Sequence, residues 1–197
     1  EINHNFENKI IYPVSNLVPF FKKIPHNKSV IFSDAGATLS WTYQAANLLK
    51  NCAPIYTAFN LHSMGYANCA SIGAAIQNNN VYCVIGDGSV PMNIQEFAWL
   101  KRYKVKIIIL DNQGYGIIRQ TQKDYYNSKF YGSDFKNNSS KLPNFKLKKI
   151  IESYDIKTRI FNKNQLNEKI VNNFIKSKKS EAIIIKVDYS ARVKTYN

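Results

Sequence analysis

Two short turns carry the residues best suited to bind a charged ligand. The sequence GDGS at 86–89 ends one apolar run, and DNQGYG at 111–116 ends the next. Glycine lets a backbone approach a phosphate closely, and the first amides of a helix attract an anion. Asp87 and Asn112 supply the oxygen ligands that Mg²⁺ prefers. The pair of turns therefore predicts a magnesium and diphosphate site, although GDGS alone also occurs in ordinary turns.

The segments around these turns predict how the two side chains are brought together. Apolar runs at 81–85 and 105–110 are typical of strands buried on both faces. Between them, Ile94, Phe97 and Ala98 have the i, i+3, i+4 spacing of a helix. A parallel strand–helix–strand unit delivers the ends of both strands to one edge of a sheet, where open α/β sheets bind ligands.

The same alternation continues along the whole chain. Strands are predicted at 29–32, 55–58, 81–85, 105–110, 156–161 and 182–187. Helices are predicted at 15–23 with Ser15 as its cap, and at 38–50, 68–77, 116–122, 145–154 and 164–176. This order predicts an α/β fold with a doubly wound, mainly parallel six-stranded sheet and helices on both faces.

The domain organisation follows from where this pattern begins and ends. We expect a linker at 1–14, one domain at 15–190 and a polar tail at 191–197. The longest irregular stretch, 124–142, is expected to be a lid, a partner-contact segment or a locally disordered loop.

Composition narrows the class of protein. The 197 residues are 45% hydrophobic, and no apolar run approaches the roughly 18 residues of a membrane span. With no signal-peptide pattern, a cytoplasmic location without a membrane partner is expected. Cys52, Cys69 and Cys83 lack metal-site spacing and are expected to be buried thiols. The net charge of +14 is spread over many segments, which favours a solvated surface over nucleic-acid binding and leaves attraction of anionic substrates as an alternative.

The two turns, together with MGYANCASIGAA at 64–75, resemble a known family: the thiamine-diphosphate-dependent enzymes related to acetolactate synthase and pyruvate decarboxylase. The resemblance implies the thiamine-diphosphate-binding fold of their C-terminal, pyrophosphate-binding domain. It also implies that Asp87 and Asn112 bind Mg²⁺ through side chains and Gly114 through its carbonyl. Asp111 stands where the family commonly has Asn, at a position that does not itself bind the metal.

The resemblance further implies which residues touch the cofactor. They are Gly36, Ala37, Thr38, His62, Met64, Gly86, Gly88, Ser89, Asn112, Gly114, Tyr115, Gly116 and Ile117. Met64 and His62 inherit catalytic roles: the Met packs beneath the bent cofactor, and the His62 carbonyl accepts from its 4'-amino group. Met64 taken alone could equally be a core residue. The His62 imidazole could transfer protons or lie at the surface without a role.

The implied function is decarboxylation of a 2-keto acid, with pyruvate as the expected substrate, and transfer of the acyl-carbanion equivalent to a carbonyl acceptor. Thr121 replaces the Trp of acetolactate synthases, and GYGIIRQTQ at 114–122 is closer to relatives in surface-sugar biosynthesis. Alternatives are a simple decarboxylase and a non-catalytic regulatory domain.

Other parts of such an enzyme would have to come from outside this chain. The implied cofactors are thiamine diphosphate and Mg²⁺, while a need for FAD is not readable from these residues. The activating Glu belongs to a pyrimidine-binding domain of the same or another subunit, in a homodimer or homotetramer. The chain is therefore expected to be a C-terminal domain or a separately encoded subunit that is inactive by itself.

Overall fold

A six-stranded parallel sheet forms the centre of the computed structural model, which describes residues 13–77, 80–135, 142–162 and 164–194. The strands are β1 (Ser29–Ser33), β2 (Ile55–Tyr56), β3 (Asn80–Gly86), β4 (Lys106–Asp111), β5 (Lys157–Phe161) and β6 (Glu181–Lys186). Their spatial order is β2-β1-β3-β4-β6-β5, and every pairing is parallel. The predicted fold class is confirmed, and the strands β3 and β4 that precede the two turns lie at its centre.

Helices cover both faces of this sheet. They are α1 (Val14–Lys23), α2 (Ala37–Asn47), α3 (Tyr66–Ile76), a 3-10 helix (Val90–Glu96), α4 (Phe97–Arg102), α5 (Gly116–Tyr125), α6 (Leu147–Glu152) and α7 (Glu168–Lys176). Side chains of β4 alternate between the two faces: Ile108 packs in the cluster under α1, α2 and α7, whereas Ile107 and Ile109 pack under α3, α4 and α6. A strand buried on both sides needs the unbroken apolar run seen in the sequence.

The helix predicted between the two turns is divided in the structure. The chain forms the 3-10 helix Val90–Glu96 first, and only then α4. Asn93 has φ −138° and ψ 53°, outside the helical region, while its side chain donates a hydrogen bond to the Gly65 carbonyl at 3.2 Å. The residue with the non-helical backbone is thus also the one that contacts a distant turn.

Smaller differences occur at element boundaries. Ser15 lies inside α1 rather than capping it, because the helix starts when Asn16 N donates to the Pro13 carbonyl at 2.9 Å. The helix predicted from residue 164 begins only at Glu168, where the Asn167 side chain accepts from Ile170 N at 3.0 Å. The edge strand β2 has two residues instead of four.

Some predictions fall partly outside the described residues. These include most of the linker at 1–14, the last residues of the tail at 191–197 and residues 136–141 of the stretch 124–142. In the described part of that stretch, α5 continues to Tyr125, and Asp134 forms an antiparallel bridge with Gly114. Within the described ranges, no helix is both long enough and apolar enough to cross a membrane.

The three thiols are free and differ in exposure. Cys83 is buried in β3 and Cys52 is half-buried. Cys69 is exposed on the outer face of α3, so the expectation of a buried thiol is wrong there. Its neighbours Asn68 and Ser71 take the buried positions of that helix.

Candidate functional site

A cleft of about 210 Å³ lies at the carboxyl ends of β1, β3 and β4, and it contains every residue predicted for the site. Its predicted residues are Gly36, Ala37, Thr38, His62, Met64, Gly86, Asp87, Gly88, Ser89, Asn112, Gly114, Tyr115, Gly116 and Ile117. Ala35, Leu110 and Ile118 also line it. The structure thus brings together residues from four separate turns, while their individual roles remain predictions.

Oxygen atoms from the two central turns converge in this cleft. Asp87 is buried, and its Oδ2 accepts a hydrogen bond from Gly114 N at 2.9 Å. The terminal amide atom of Asn112 that faces the same point lies 2.7 Å from the Gly114 carbonyl oxygen and 3.1 Å from Asp87 Oδ1. As a nitrogen, this atom donates to both oxygens; in the opposite amide orientation it is an oxygen, and three oxygens meet.

The distances from this Asn112 atom to the other two oxygens suit a magnesium ion. In an octahedral shell with oxygens about 2.1 Å from Mg²⁺, adjacent ligands lie about 3 Å apart. The Asn112 distances bracket that value. Among the described residues, no cluster of three or more His, Cys, Asp or Glu side chains could hold a metal, so a metal here would depend on amide and carbonyl oxygens as well as Asp87.

The electrostatics of the cleft also favour a cation. Burial and the negative charge of Asp111 raise the pKa of Asp87 to about 8. The Asp111 carboxylate lies beside Asp87, and it accepts hydrogen bonds from Lys186 Nζ and, at 3.2 Å, from Gln113 N. A divalent cation among these oxygens would offset the unfavourable burial of the Asp87 charge.

Arg119 holds the turn at residues 112–114 through hydrogen bonds to its backbone. The sequence analysis assigned no role to this residue. Its guanidinium is buried and donates to the carbonyl oxygens of Asn112 at 2.8 Å, Gln113 at 2.9 Å and Tyr189 at 3.2 Å. Gly114 has φ +145°, and a Cβ there would lie 2.4 Å from the Ser133 carbonyl oxygen. The turn therefore requires glycine and a fixed donor. The position of Arg119 in the sequence could have indicated this role. A side chain in the first turn of α5 points back towards the turn that precedes the helix.

Close to these oxygens, the cleft also offers backbone amides to an anion. Helices α2 and α5 both begin at the cleft, and neither N-cap residue, Gly36 or Tyr115, provides a side-chain cap. Gly36 has φ +72°, which turns the chain from β1 directly into α2. Helix N-termini of this kind bind phosphate groups through amides and the helix dipole.

The remaining wall consists of the turn that carries His62 and Met64. Met64 keeps 37% of its surface exposed, so it is part of the cleft wall and does not fill the core. His62 has φ +46°, and its exposed ring lies 5.9 Å from the ring of Phe59. His62 lines the cleft, and its role there remains a prediction.

A parallel sheet, two helix N-termini and converging oxygens together give the cleft groups that can bind an anion and a cation side by side. Residues 34–187 match the family model described as "Thiamine pyrophosphate enzyme, C-terminal TPP binding domain". The chain belongs to this family, which confirms the resemblance seen in its turns.

The chain is also similar to individual proteins that are named acetolactate synthases. The chain is 35% identical over 148 residues to the acetolactate synthase large subunit of Porphyra purpurea, covering 73% of this chain and 24% of the relative. It is 32% identical over 133 residues to the Lactococcus lactis large subunit, covering 66% and 22%. For isozyme 2 of Escherichia coli K12 the identity is 35% over 107 residues, covering 51% and 19%. The chain spans less than a quarter of the length of these relatives.

Proposed function

We propose that this chain binds thiamine diphosphate through Mg²⁺ and forms the cofactor-anchoring part of an enzyme. Asp87, Asn112 and the Gly114 carbonyl hold the metal, and the amides at the starts of α2 and α5 receive the diphosphate. The convergence of three oxygens in a cleft of a thiamine pyrophosphate enzyme domain carries this proposal.

Each wall of the cleft then has a separate task. The metal turn fixes the charged end of the cofactor, whereas Met64 packs beneath its bend and the His62 carbonyl accepts from its amino group. When bound, thiamine diphosphate supplies a nucleophilic carbon and an electron sink for cleavage beside a keto group. The protein contributes orientation, and a small displacement of Met64 affects rate through lost preorganisation.

We infer decarboxylation of a 2-keto acid, with pyruvate as the first substrate to test, followed by transfer to a carbonyl acceptor. Support comes from relatives named acetolactate synthase. Thr121 is exposed on α5, where its hydroxyl donates to the Ile117 carbonyl at 3.1 Å. A small side chain at this position suits an acceptor different from that of relatives with Trp, including one used in surface-sugar biosynthesis. A decarboxylase that protonates its product is the alternative.

The proposed enzyme needs more protein than this chain. Residues 15–190 would form its pyrophosphate-binding domain, and a pyrimidine-binding domain of the same or another subunit would supply the activating Glu. We propose a cytoplasmic homodimer or homotetramer for the assembled enzyme.

Calorimetry with thiamine diphosphate, with and without Mg²⁺, tests the binding step in the longest natural form of the protein. We expect binding that requires the metal. Release of CO₂ from pyruvate, followed with and without aldehyde or ketone acceptors, then separates carboligase from decarboxylase. Metal-dependent binding without turnover of any 2-keto acid would favour the regulatory-domain alternative, and absence of cofactor binding would refute the proposal.

A further inference from the structure

The residue that follows Met64 is held from both sides by side chains of other elements. Asp34, at the end of β1, is fully buried, and its Oδ1 accepts from Gly65 N at 3.1 Å. Asn93, in the 3-10 helix, donates from Nδ2 to the Gly65 carbonyl at 3.2 Å. Both peptide groups of Gly65 are therefore fixed in orientation.

Asp34 also supplies the N-terminal cap of α3. Its Oδ2 accepts from Ala67 N at 3.0 Å, and its Oδ1 also accepts from Ala35 N at 2.9 Å. Gly65, the N-cap residue itself, has no side chain to perform this role. An ionised carboxylate at a helix N-terminus forms short, strong hydrogen bonds and interacts favourably with the helix dipole.

The backbone at Gly65 is suited to this close contact. Its φ is +81°, a conformation that favours glycine. A Cβ at this position would lie 2.4 Å from Asn93 Nδ2 and 3.1 Å from Met92 Cβ. Asn93, which makes this contact, has a non-helical backbone within the 3-10 helix Val90–Glu96. Three elements thus converge on the peptide next to Met64.

We propose that Asp34 and Asn93 are positioning residues that hold Met64 in place against the bound cofactor by fixing both peptides of Gly65. This inference rests on the proposed function. Neither side chain lines the cleft. Both therefore act through Gly65 and not by contact with cofactor or substrate. The proposed metal ligands Asp87, Asn112 and Gly114 lie on other segments. Loss of Asp34 or Asn93 should therefore disturb the orientation of the cofactor and leave its anchoring intact.

A first experiment follows amide hydrogen exchange of the longest natural protein without added cofactor. Asp34→Ala removes all three acceptor contacts, and Asp34→Asn keeps one oxygen for Ala35 N and Gly65 N. We expect the Gly65 and Ala67 amides to exchange faster by about tenfold in Asp34→Ala and by less in Asp34→Asn, with β4 unchanged. Unchanged protection at Gly65 in a folded Asp34→Ala variant would overturn the proposal.

The matched control is Ser33→Ala. Ser33 is buried beside Asp34, and its hydroxyl can donate to Thr42 Oγ1 at 3.1 Å and to the Asp34 carbonyl oxygen at 3.4 Å. This variant therefore loses buried hydrogen bonding of the same turn but keeps the Asp34 carboxylate and its contact with Gly65 N. We expect a lower Tm with normal exchange at Gly65. Equal acceleration at Gly65 in Ser33→Ala would mean that general loosening, not the carboxylate, is responsible.

A second experiment compares cofactor affinity with rate in the protein saturated with thiamine diphosphate and Mg²⁺. Exchange of the bound thiazolium C2 proton, read by NMR, reports orientation without knowledge of the acceptor. We expect affinity within about threefold of the wild type, but exchange slower by about tenfold in Asp34→Ala and Asn93→Ala, with partial recovery in Asp34→Asn. Because both contacts act on one residue, the double variant Asp34→Ala/Asn93→Ala should lose less than the product of the single losses.

Normal C2 exchange in cofactor-saturated Asp34→Ala would overturn the positioning role. If the wild type does not bind the cofactor, the proposed function fails and the role towards Met64 fails with it. The amide-exchange experiment still decides whether Asp34 holds this segment, so the two failures are distinguishable.

Discussion

The two walls of the cleft differ sharply in how firmly the chain holds them. One wall, here called the metal wall, carries the proposed metal ligands Asp87 and Asn112 with Arg119 behind them. These three residues are 3%, 4% and 5% exposed. On the wall formed by His62 and Met64, Met64 is 37% exposed and His62 is also exposed. The first wall lies at the centre of the sheet, whereas the second is a turn attached through hydrogen bonds to Gly65.

If the proposed function is correct, this difference predicts that cofactor anchoring and cofactor orientation can be lost separately. Rigid elements with buried donors preorganise the metal wall, so its loss should prevent binding. The exposed wall has less packing to replace a lost contact, so its loss should reduce rate before affinity.

The largest effect is expected from breaking the metal wall itself. Asp87→Ala should weaken magnesium-dependent binding of thiamine diphosphate by more than about a hundredfold, because even outer-shell partners of a metal typically cost 10–100-fold. The fold should survive, since Asp87 lies at a strand end. Calorimetry with both ligands measures this, with Asp155→Ala, an exposed partner of Lys101, as the control. Undiminished affinity in Asp87→Ala would remove it from the metal site.

A weaker effect is expected from removing the support behind that wall. Arg119→Met retains length but leaves the buried carbonyls of Asn112 and Gln113 without their donor, at a cost of about 1–3 kcal/mol each. We expect the affinity for Mg²⁺ to fall by about tenfold and the Tm to be lower. Arg192→Met, which removes a partly exposed pair with Asp124, should change neither. Titration of Mg²⁺ at saturating thiamine diphosphate checks this, and normal metal dependence would contradict it.

The opposite wall is tested by Met64→Ala. Turnover should fall by about tenfold, equivalent to 1.4 kcal/mol, while cofactor affinity stays within about threefold. Thermal stability should change little, because a half-exposed side chain does not leave the cavity that costs about 2–5 kcal/mol in a core. Turnover, affinity and Tm are measured side by side.

The control for this test is Met92→Ala, which truncates an exposed methionine outside the cleft and keeps the Cβ near Gly65. Wild-type turnover in a cofactor-saturated Met64→Ala protein would show that Met64 does not support the cofactor bend.

The smallest effect is expected at His62. Asn tolerates the left-handed conformation at this position, so His62→Asn removes the imidazole but keeps the carbonyl. If only the carbonyl is used, turnover should change by less than about threefold at each pH from 6 to 8. A loss of about tenfold or more, or a shifted pH profile, would instead assign proton transfer to the imidazole.

Much of the fold was predictable because its signals are local. Runs rich in β-branched residues before GDGS and DNQGYG predicted β3 and β4. Because both runs end in a short polar turn, the two turns were expected at the same edge of a parallel sheet. The cleft residues are gathered as expected, although their roles await experiment. The family resemblance, rather than composition or periodicity, supplied most of those roles.

The unpredicted features depend on contacts between distant residues. Asp34 reaches Gly65 across 31 positions, and Asn93 reaches it across 28. The helical pattern at 94–98 carries no sign that Asn93 leaves helical geometry. Similarly, nothing local to Asp111 indicates its pairing with Lys186, 75 positions away. Such contacts become visible only when the sheet order is known.

The position of β6 between β4 and β5 has a consequence for synthesis of the protein. While the chain emerges from the ribosome, β4 can pair with β3, but its other edge has no native neighbour until residues 181–186 appear. Val187 N then donates to the Asp111 carbonyl, and Lys186 Nζ donates to the Asp111 carboxylate. The Tyr189 carbonyl is the last acceptor to reach Arg119. The nascent chain therefore completes the proposed cofactor anchor late, and a ribosome that stalls before β6 leaves an unpaired central strand available to other chains.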